Sequence, residues 1–166
     1  IHIHGICLDV DGVLTDGGLY VDEAGRGARR FNVHDGFALY WYRKLGGRIL
    51  ICSGKDSPAV AARMQELGIE HVIQGSHDKL ADVTAYLERL DLSMEQLAVM
   101  GDDLPDVPLM RAAGLPIAVA NAAEEVRQIA RFVTERSGGA GAVREAVEHL
   151  MRESGRWSEV LAHYGL

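Results

Sequence analysis

Short apolar runs alternate with helical segments along all 166 residues, and this alternation restricts the architecture more than any other feature of the sequence. Ile3, Ile6, Leu8 and Val10 mark a first buried strand, and the segments 48–52, 71–73, 97–100 and 115–119 read as four more. Between them, 36–45, 57–67, 79–90, 105–113 and 124–130 carry helical patterns. The punctuation agrees: Gly46-Gly47 stops the first helix, Pro58 sits in the first turn of the second, and Gly68 caps it. Residues 132–134 add an edge strand, and 137–141 open a last long helix. Strands joined through helices pair in parallel, so the expected fold is a Rossmann-like α/β sheet with helices on both faces.

Two segments stand apart from this rhythm. Residues 17–33 hold two short β-prone runs around a Gly-rich turn, the pattern of a hairpin protruding between the first strand and the first helix. Leu19, Tyr20, Val21, Phe31 and Val33 are costly to leave in water there, and packing against another subunit would cover them. Residues 1–153 make the core domain. In the tail, 154–166, Trp157, Val160, Leu161 and Tyr164 recur at helical spacing, as a short helix docking on its own domain or on a neighbour. The alternation Ile1-His2-Ile3-His4 puts both histidines on one strand face, where solvent is the expected partner.

With 48% hydrophobic residues the chain can bury a real core. A net charge of −7 argues against a nucleic-acid surface, so any anionic substrate must be drawn in by local Lys and Arg. No apolar run is long enough to span a membrane, and no secretory leader is visible. The two cysteines, Cys7 and Cys52, end apolar runs and read as buried thiols in a reducing cytoplasm.

The chemistry collects at the strand ends, where ligands bind in open parallel sheets. The first strand runs into Asp9-Val10-Asp11-Gly12, two carboxylates one residue apart at a tight turn. Ser53-Gly54 follows the second strand, a hydroxyl beside a residue that lets a ligand approach the backbone closely. Lys79 opens a helix, where the dipole disfavours a cation, so its amine is wanted elsewhere. Asp102, Asp103 and Asp106 crowd the end of the fourth strand, and with Asp9 and Asp11 they supply half of a Mg²⁺ site.

The run D-x-D-G-V-L-T-D at 9–16, with Ser53, Lys79 and Gly101-Asp102-Asp103 in that order, resembles the haloacid dehalogenase-like phosphatases over nearly the whole chain. The resemblance implies Asp9 as nucleophile, Asp11 as general acid and base, and Ser53 and Lys79 as holders of the phosphoryl oxygens. It also implies Mg²⁺ on Asp9, on the backbone carbonyl of Asp11 and on Asp102, with Asp103 and Asp106 orienting metal waters and Lys79. The spacing from Ser53 to Lys79 leaves no room for a cap domain.

The segment 31–36, residues 57–68 with Arg63, 75–80 and 138–145 further resemble the 3-deoxy-D-manno-octulosonate 8-phosphate phosphatases of lipopolysaccharide sugar biosynthesis. These are similar to the nonulosonate 9-phosphate phosphatases, which stand as the alternative. That resemblance implies a homotetramer joined through its hairpins. It implies substrate contact by Asn32, Val33, His34, Asp35 and Gly36, by Gly54 and Lys55, and by Arg63 and Lys79. His34, Tyr40, Lys55 and Ala140 depart from the octulosonate pattern, Lys55 and Ala140 where Arg is frequent, and bear on which sugar acid is bound. Two further classes compete. A phospho-receiver domain lacks an acid two residues after its acceptor, which Asp11 supplies here. A non-catalytic assembly module would have lost Asp9, Asp11, Lys79 or Asp102.

Overall fold

The computed structural model describes residues 2–166. Ile1, the first residue of the expected alternation, lies outside them; the His2 and His4 rings sit 6.2 Å apart. In chain order the strands are β1 (Gly5–Leu8), β2 (Tyr20–Val21), β3 (Gly27–Ala28), β4 (Arg48–Cys52), β5 (Val72–Ile73), β6 (Leu97–Gly101), β7 (Leu115–Ala118) and β8 (Phe132–Val133). The helices are α1 (Val33–Lys44), α2 (Pro58–Glu66), α3 (Lys79–Leu90), α4 (Val107–Ala112), α5 (Glu124–Ile129), α6 (Ala142–Glu153) and α7 (Trp157–His163). None of them is long and apolar enough to cross a membrane.

Six strands pair in parallel in the order β5-β4-β1-β6-β7-β8. The strands β1 and β6 are buried along their whole length, as sheet strands covered on both faces must be. From β1 the chain first steps outward to β4 and β5, then returns through α3 to β6 on the other side. The strand order therefore reverses at β1, and the crevice of an open α/β sheet forms at such a switch point. Right-handed crossovers put α1 and α2 on one face and α3, α4 and α5 on the other. The closing helix α6 returns to pack on α1.

Several boundaries differ from the sequence pattern for identifiable reasons. The helix α1 begins at Val33, ahead of Gly36, because Asn32 caps it: its Oδ1 accepts from the His34 N–H at 2.8 Å. Val33 thus belongs to the helix and is 79% exposed. Val10 lies in the turn after β1. The hairpin is real but short, two residues a side, with Leu19, Tyr20 and Val21 exposed, while Phe31 leaves it to bridge Thr15 and pack on the core. The expected helix over 105–113 divides into a single turn at Leu104–Asp106 followed by α4. The tail helix α7 docks on its own domain: Trp157 and Val160 are buried, and Trp41 Nε1 donates to the Tyr164 hydroxyl at 3.4 Å.

The α1–α6 junction carries a buried charge. Asp35 is 1% exposed; its Oδ1 accepts from the Arg144 N–H at 2.8 Å, near the start of α6, while Oδ2 has no partner among the described residues. Burial, only partly offset by that amide, pushes its carboxyl up to about 6. A carboxyl whose folded pKa exceeds its unfolded one stabilises least when ionised, so its contribution falls as pH rises from about 4 to about 6. Asp35→Asn keeps the acceptor and removes the charge. Chemical denaturation across this range should find the variant close to wild type below pH ~4 and more stable by about 1–3 kcal/mol above pH ~6. A pH-independent difference would refute this.

Candidate active site

The ends of the adjacent strands β1 and β6 and the start of α3 converge on Asp9. The turn after β1 is built around Gly12, whose φ of 91° is open to glycine at little cost. A Cβ there would also run into the Asp102 carboxylate, so the missing side chain is what lets β6 bring Asp102 over the first turn. Thr15, fully buried, holds the turn: its Oγ1 accepts from the N–H groups of Gly12 and Gly17, both at 3.2 Å. The Gly12 carbonyl accepts from Asn121 Nδ2 at 3.2 Å, and Asn121 Oδ1 accepts from the Gly138 N–H at 2.7 Å. Gly138 and Gly139 lie directly on the backbone of residues 12–16, too close for any Cβ. The loop before α6 is therefore a clasp on the first turn.

Lys79 sits at the first turn of α3 and is buried. Its Nζ donates to Asp9 Oδ1 at 2.7 Å and to Asp106 Oδ1 at 2.6 Å. Burial works against the ammonium, but the two carboxylates overcome it and hold its pKa above the ordinary lysine value. The other oxygen of Asp106 accepts from the N–H groups of Asp102 and Asp103 at 3.0 and 3.3 Å, so Asp106 ties Lys79 to the β6 loop. Asp103 is exposed and turns its carboxylate onto the Leu104 N–H at 2.8 Å, a loop cap that leaves Lys79 to Asp106.

Asp9, Asp102 and Asp106 each present a carboxylate oxygen within 4.8 Å of the others. Three carboxylates face one ammonium. Burial, with Asp9 and Asp106 adding to it, pushes Asp102 up to about 8, and burial with Asp106 raises Asp9. This excess of negative charge fits a divalent cation, whose ligand oxygens would come from Asp9 and Asp102, since Asp106 is engaged by Lys79 and two amides. The Asp11 carboxylate is not one of this group. Its Oδ1 accepts from Arg29 Nε at 2.7 Å, a contact from the hairpin.

Ser53 is buried at the end of β4, its Oγ accepting from the Lys55 N–H at 3.3 Å; Gly54 and Lys55 are exposed. The remaining expected contacts separate. Asp35 and Gly36 are buried, Asp35 on α6 and Gly36 against Arg63 and Leu67, so neither side of that pair opens to a substrate in this chain. Asn32 is spent on its cap and on the Gly139 carbonyl at 3.3 Å. Val33 is exposed. His34 lines a cavity of about 590 Å³ with Phe132, Arg136, Arg144, Glu148 and His149, none of which belongs to the Asp9 group. Arg63 pairs with Glu66 at 2.8 Å and lies over the Phe31 ring at 5.9 Å, at the foot of the hairpin. Of Thr15, Arg29 and Asn121, only Thr15 carries a signal in the sequence, its place within D-x-D-G-V-L-T-D.

Comparison with known proteins agrees with this geometry. Residues 63–146 match the haloacid dehalogenase-like hydrolase family. The 3-deoxy-D-manno-octulosonate 8-phosphate phosphatase of Escherichia coli K12 is 38% identical over 158 residues, 95% of this chain and 84% of that one. The crystal structure of the Moraxella catarrhalis enzyme of that name, in complex with magnesium, phosphate and KDO, matches with a TM-score of 0.95 at 36% identity, over 98% of this chain and 94% of that one. A cobalt-bound enzyme from Haemophilus influenzae matches with a TM-score of 0.90 at 33% identity, over 93% and 90% of the two chains. A strand-end carboxylate pair, a buried lysine between two aspartates and this degree of likeness place the chain among the haloacid dehalogenase-like hydrolases, in the family of the 3-deoxy-D-manno-octulosonate 8-phosphate phosphatases.

Proposed function

We propose that the protein hydrolyses a 2-keto-3-deoxy sugar acid phosphate, 3-deoxy-D-manno-octulosonate 8-phosphate first among them, through an aspartyl-phosphate on Asp9. The single observation that carries this is the Asp9–Lys79–Asp106 group at the switch point, with Asp11 two residues beyond Asp9. Mg²⁺, when bound by Asp9, the Asp11 carbonyl and Asp102, supplies positive charge against the phosphoryl oxygens.

The chain's own residues do the rest. Asp9 attacks phosphorus and splits one difficult displacement into two easier ones. Lys79, fixed by Asp106, draws a phosphoryl oxygen toward Asp9 and offsets the repulsion between two anions. The Ser53 hydroxyl and the open backbone at Gly54 hold a second oxygen. Asp11 gives a proton to the leaving oxygen and then takes one from the water that frees Asp9. Lys55, His34 and Arg63 are proposed for the sugar acid, whose carboxylate needs local cations in a chain of net charge −7. The exposed Leu19, Tyr20 and Val21 support assembly of four chains through their hairpins, and two buried free thiols suit a reducing cytoplasm.

Phosphate release measured across octulosonate 8-phosphate, a nonulosonate 9-phosphate, hexose phosphates and a phosphopeptide should show strong preference for the first and complete loss with EDTA. Uniformly feeble release would instead favour a non-catalytic assembly role. Asp9→Asn should lower turnover by more than about 10⁴-fold, and normal turnover would exclude the covalent route. Gly12→Ala places a Cβ on the Asp102 carboxylate, so the rise in melting temperature that Mg²⁺ gives wild type should largely vanish. An undiminished rise would remove Asp102 from the cation's ligands. A monomer in light scattering would remove the hairpin assembly.

A further inference from the structure

Arg29 follows β3 directly, on the hairpin, yet its side chain is only 7% exposed. Its Nε donates to Asp11 Oδ1 at 2.7 Å and one terminal nitrogen donates to Ser57 Oγ at 2.7 Å. The second terminal nitrogen reaches Asp11 Oδ2 only at 3.5 Å. Ser57 is the residue before α2, where a serine ordinarily caps its own helix; here the hydroxyl makes no capping bond. It is given to Arg29 instead. The Ser57 backbone is itself gripped at two points by Gln74, its N–H donating to Oε1 at 2.9 Å and its carbonyl accepting from Nε2 at 3.3 Å. A chain of hydrogen bonds thus runs Gln74–Ser57–Arg29–Asp11, separate from the Lys79 group. A guanidinium is planar, so Nε held on Asp11 and a terminal nitrogen held on Ser57 fix its plane, and with it the face it presents to the Asp11 carboxylate.

We propose that Arg29 is a positioning residue for Asp11: it fixes the orientation of that carboxylate, occupies Oδ1 and leaves Oδ2 to carry the proton. The proposal rests on Asp11 being the acid and base of the phosphatase reaction. As an oxygen of Asp9 attacks phosphorus, the bond to the leaving oxygen breaks with its electron pair, and the proton on Asp11 Oδ2 passes to that oxygen. In the second step a water oxygen bonds to phosphorus, its proton returns to Oδ2, and the bond from phosphorus to Asp9 breaks to release phosphate. Oδ1 stays on Arg29 throughout.

A general acid matters most when the leaving group is poor. With Mg²⁺ present, kcat/KM should therefore be compared for octulosonate 8-phosphate, which leaves as an alcohol, and p-nitrophenyl phosphate, which needs little protonation. In Arg29→Met the first should fall on the order of 10²-fold and the second several-fold at most. Arg29→Lys should restore only part of the loss, since an ammonium cannot span Asp11 and Ser57 as a fork. Ser57→Ala, which leaves Asp11 untouched, should give a smaller loss of the same selectivity. Added to Asp11→Asn, Arg29→Met should cost less than about twofold more, as expected for residues acting as one unit. Equal losses on both phosphates, or full additivity with Asp11→Asn, would make Arg29 a hairpin staple and overturn its role alone. A wild type inactive on both phosphates would overturn the phosphatase assignment together with it.

Discussion

The Lys79 ammonium, buried between Asp9 and Asp106, is the interaction on which the site depends. Removing a charge from water costs several kcal/mol, and only close, well-directed partners make that tolerable. Here the partners come from the ends of two adjacent strands, β1 and β6, while the lysine comes from the helix that joins the two halves of the sheet. The bridge therefore needs the parallel register, the crossover and the helix start to be right together. A lysine at a helix N-terminus is a local mismatch with the dipole. The two carboxylates answer it, with Asp78 supplying the cap through the Ala81 N–H at 3.0 Å.

The same group leaves a residue of negative charge, because Asp102 joins Asp9 and Asp106 while, among the described residues, Lys79 is the one cation paired with them. A small divalent ion relieves this directly, which is why the carboxylates can be packed so tightly without a larger basic cluster. The packing itself is steric. Gly12 gives Asp102 its space, Thr15 and Asn121 hold the turn that Gly12 makes, and Gly138-Gly139 close on its far side. Three loops distant in sequence thus shape one turn. The 137–141 segment serves the chemistry by gripping backbone.

Most of the scaffold was legible because it is written locally. The strand over 48–52 and the helix over 79–90 appear where their periodicity puts them, and the parallel order follows from alternation. Asp9, Lys79 and Asp102 could be placed together because each stands just past a strand or at a helix start. What the sequence hid depends on contacts far apart in the chain. Nothing near Asn121 announces that its amide spans Gly12 and Gly138. Nothing near Asp35 announces that α6 will cover it, so a residue of the 32–36 loop that resembles a substrate contact is buried between helices. The cap at Asn32 and the fate of Phe31 were likewise decided by where the hairpin lands.

The hairpin brings these levels together. Its strands are two residues long and its outer side chains are exposed, so its own pairing contributes little to holding it in place. Inside, it is anchored by Phe31 on the core and by Arg29 on Asp11 and Ser57. An exposed salt bridge is worth little, but one with a side chain 7% exposed and anchored at two points is both stiffer and less screened. The anchor that sets the hairpin therefore also sets a carboxylate of the site. The same guanidinium thus links the hairpin to Asp11 and to the start of α2. In a fold without a cap domain, the short hairpin is the element that reaches over the end of β1, and Arg29 is its inward contact there.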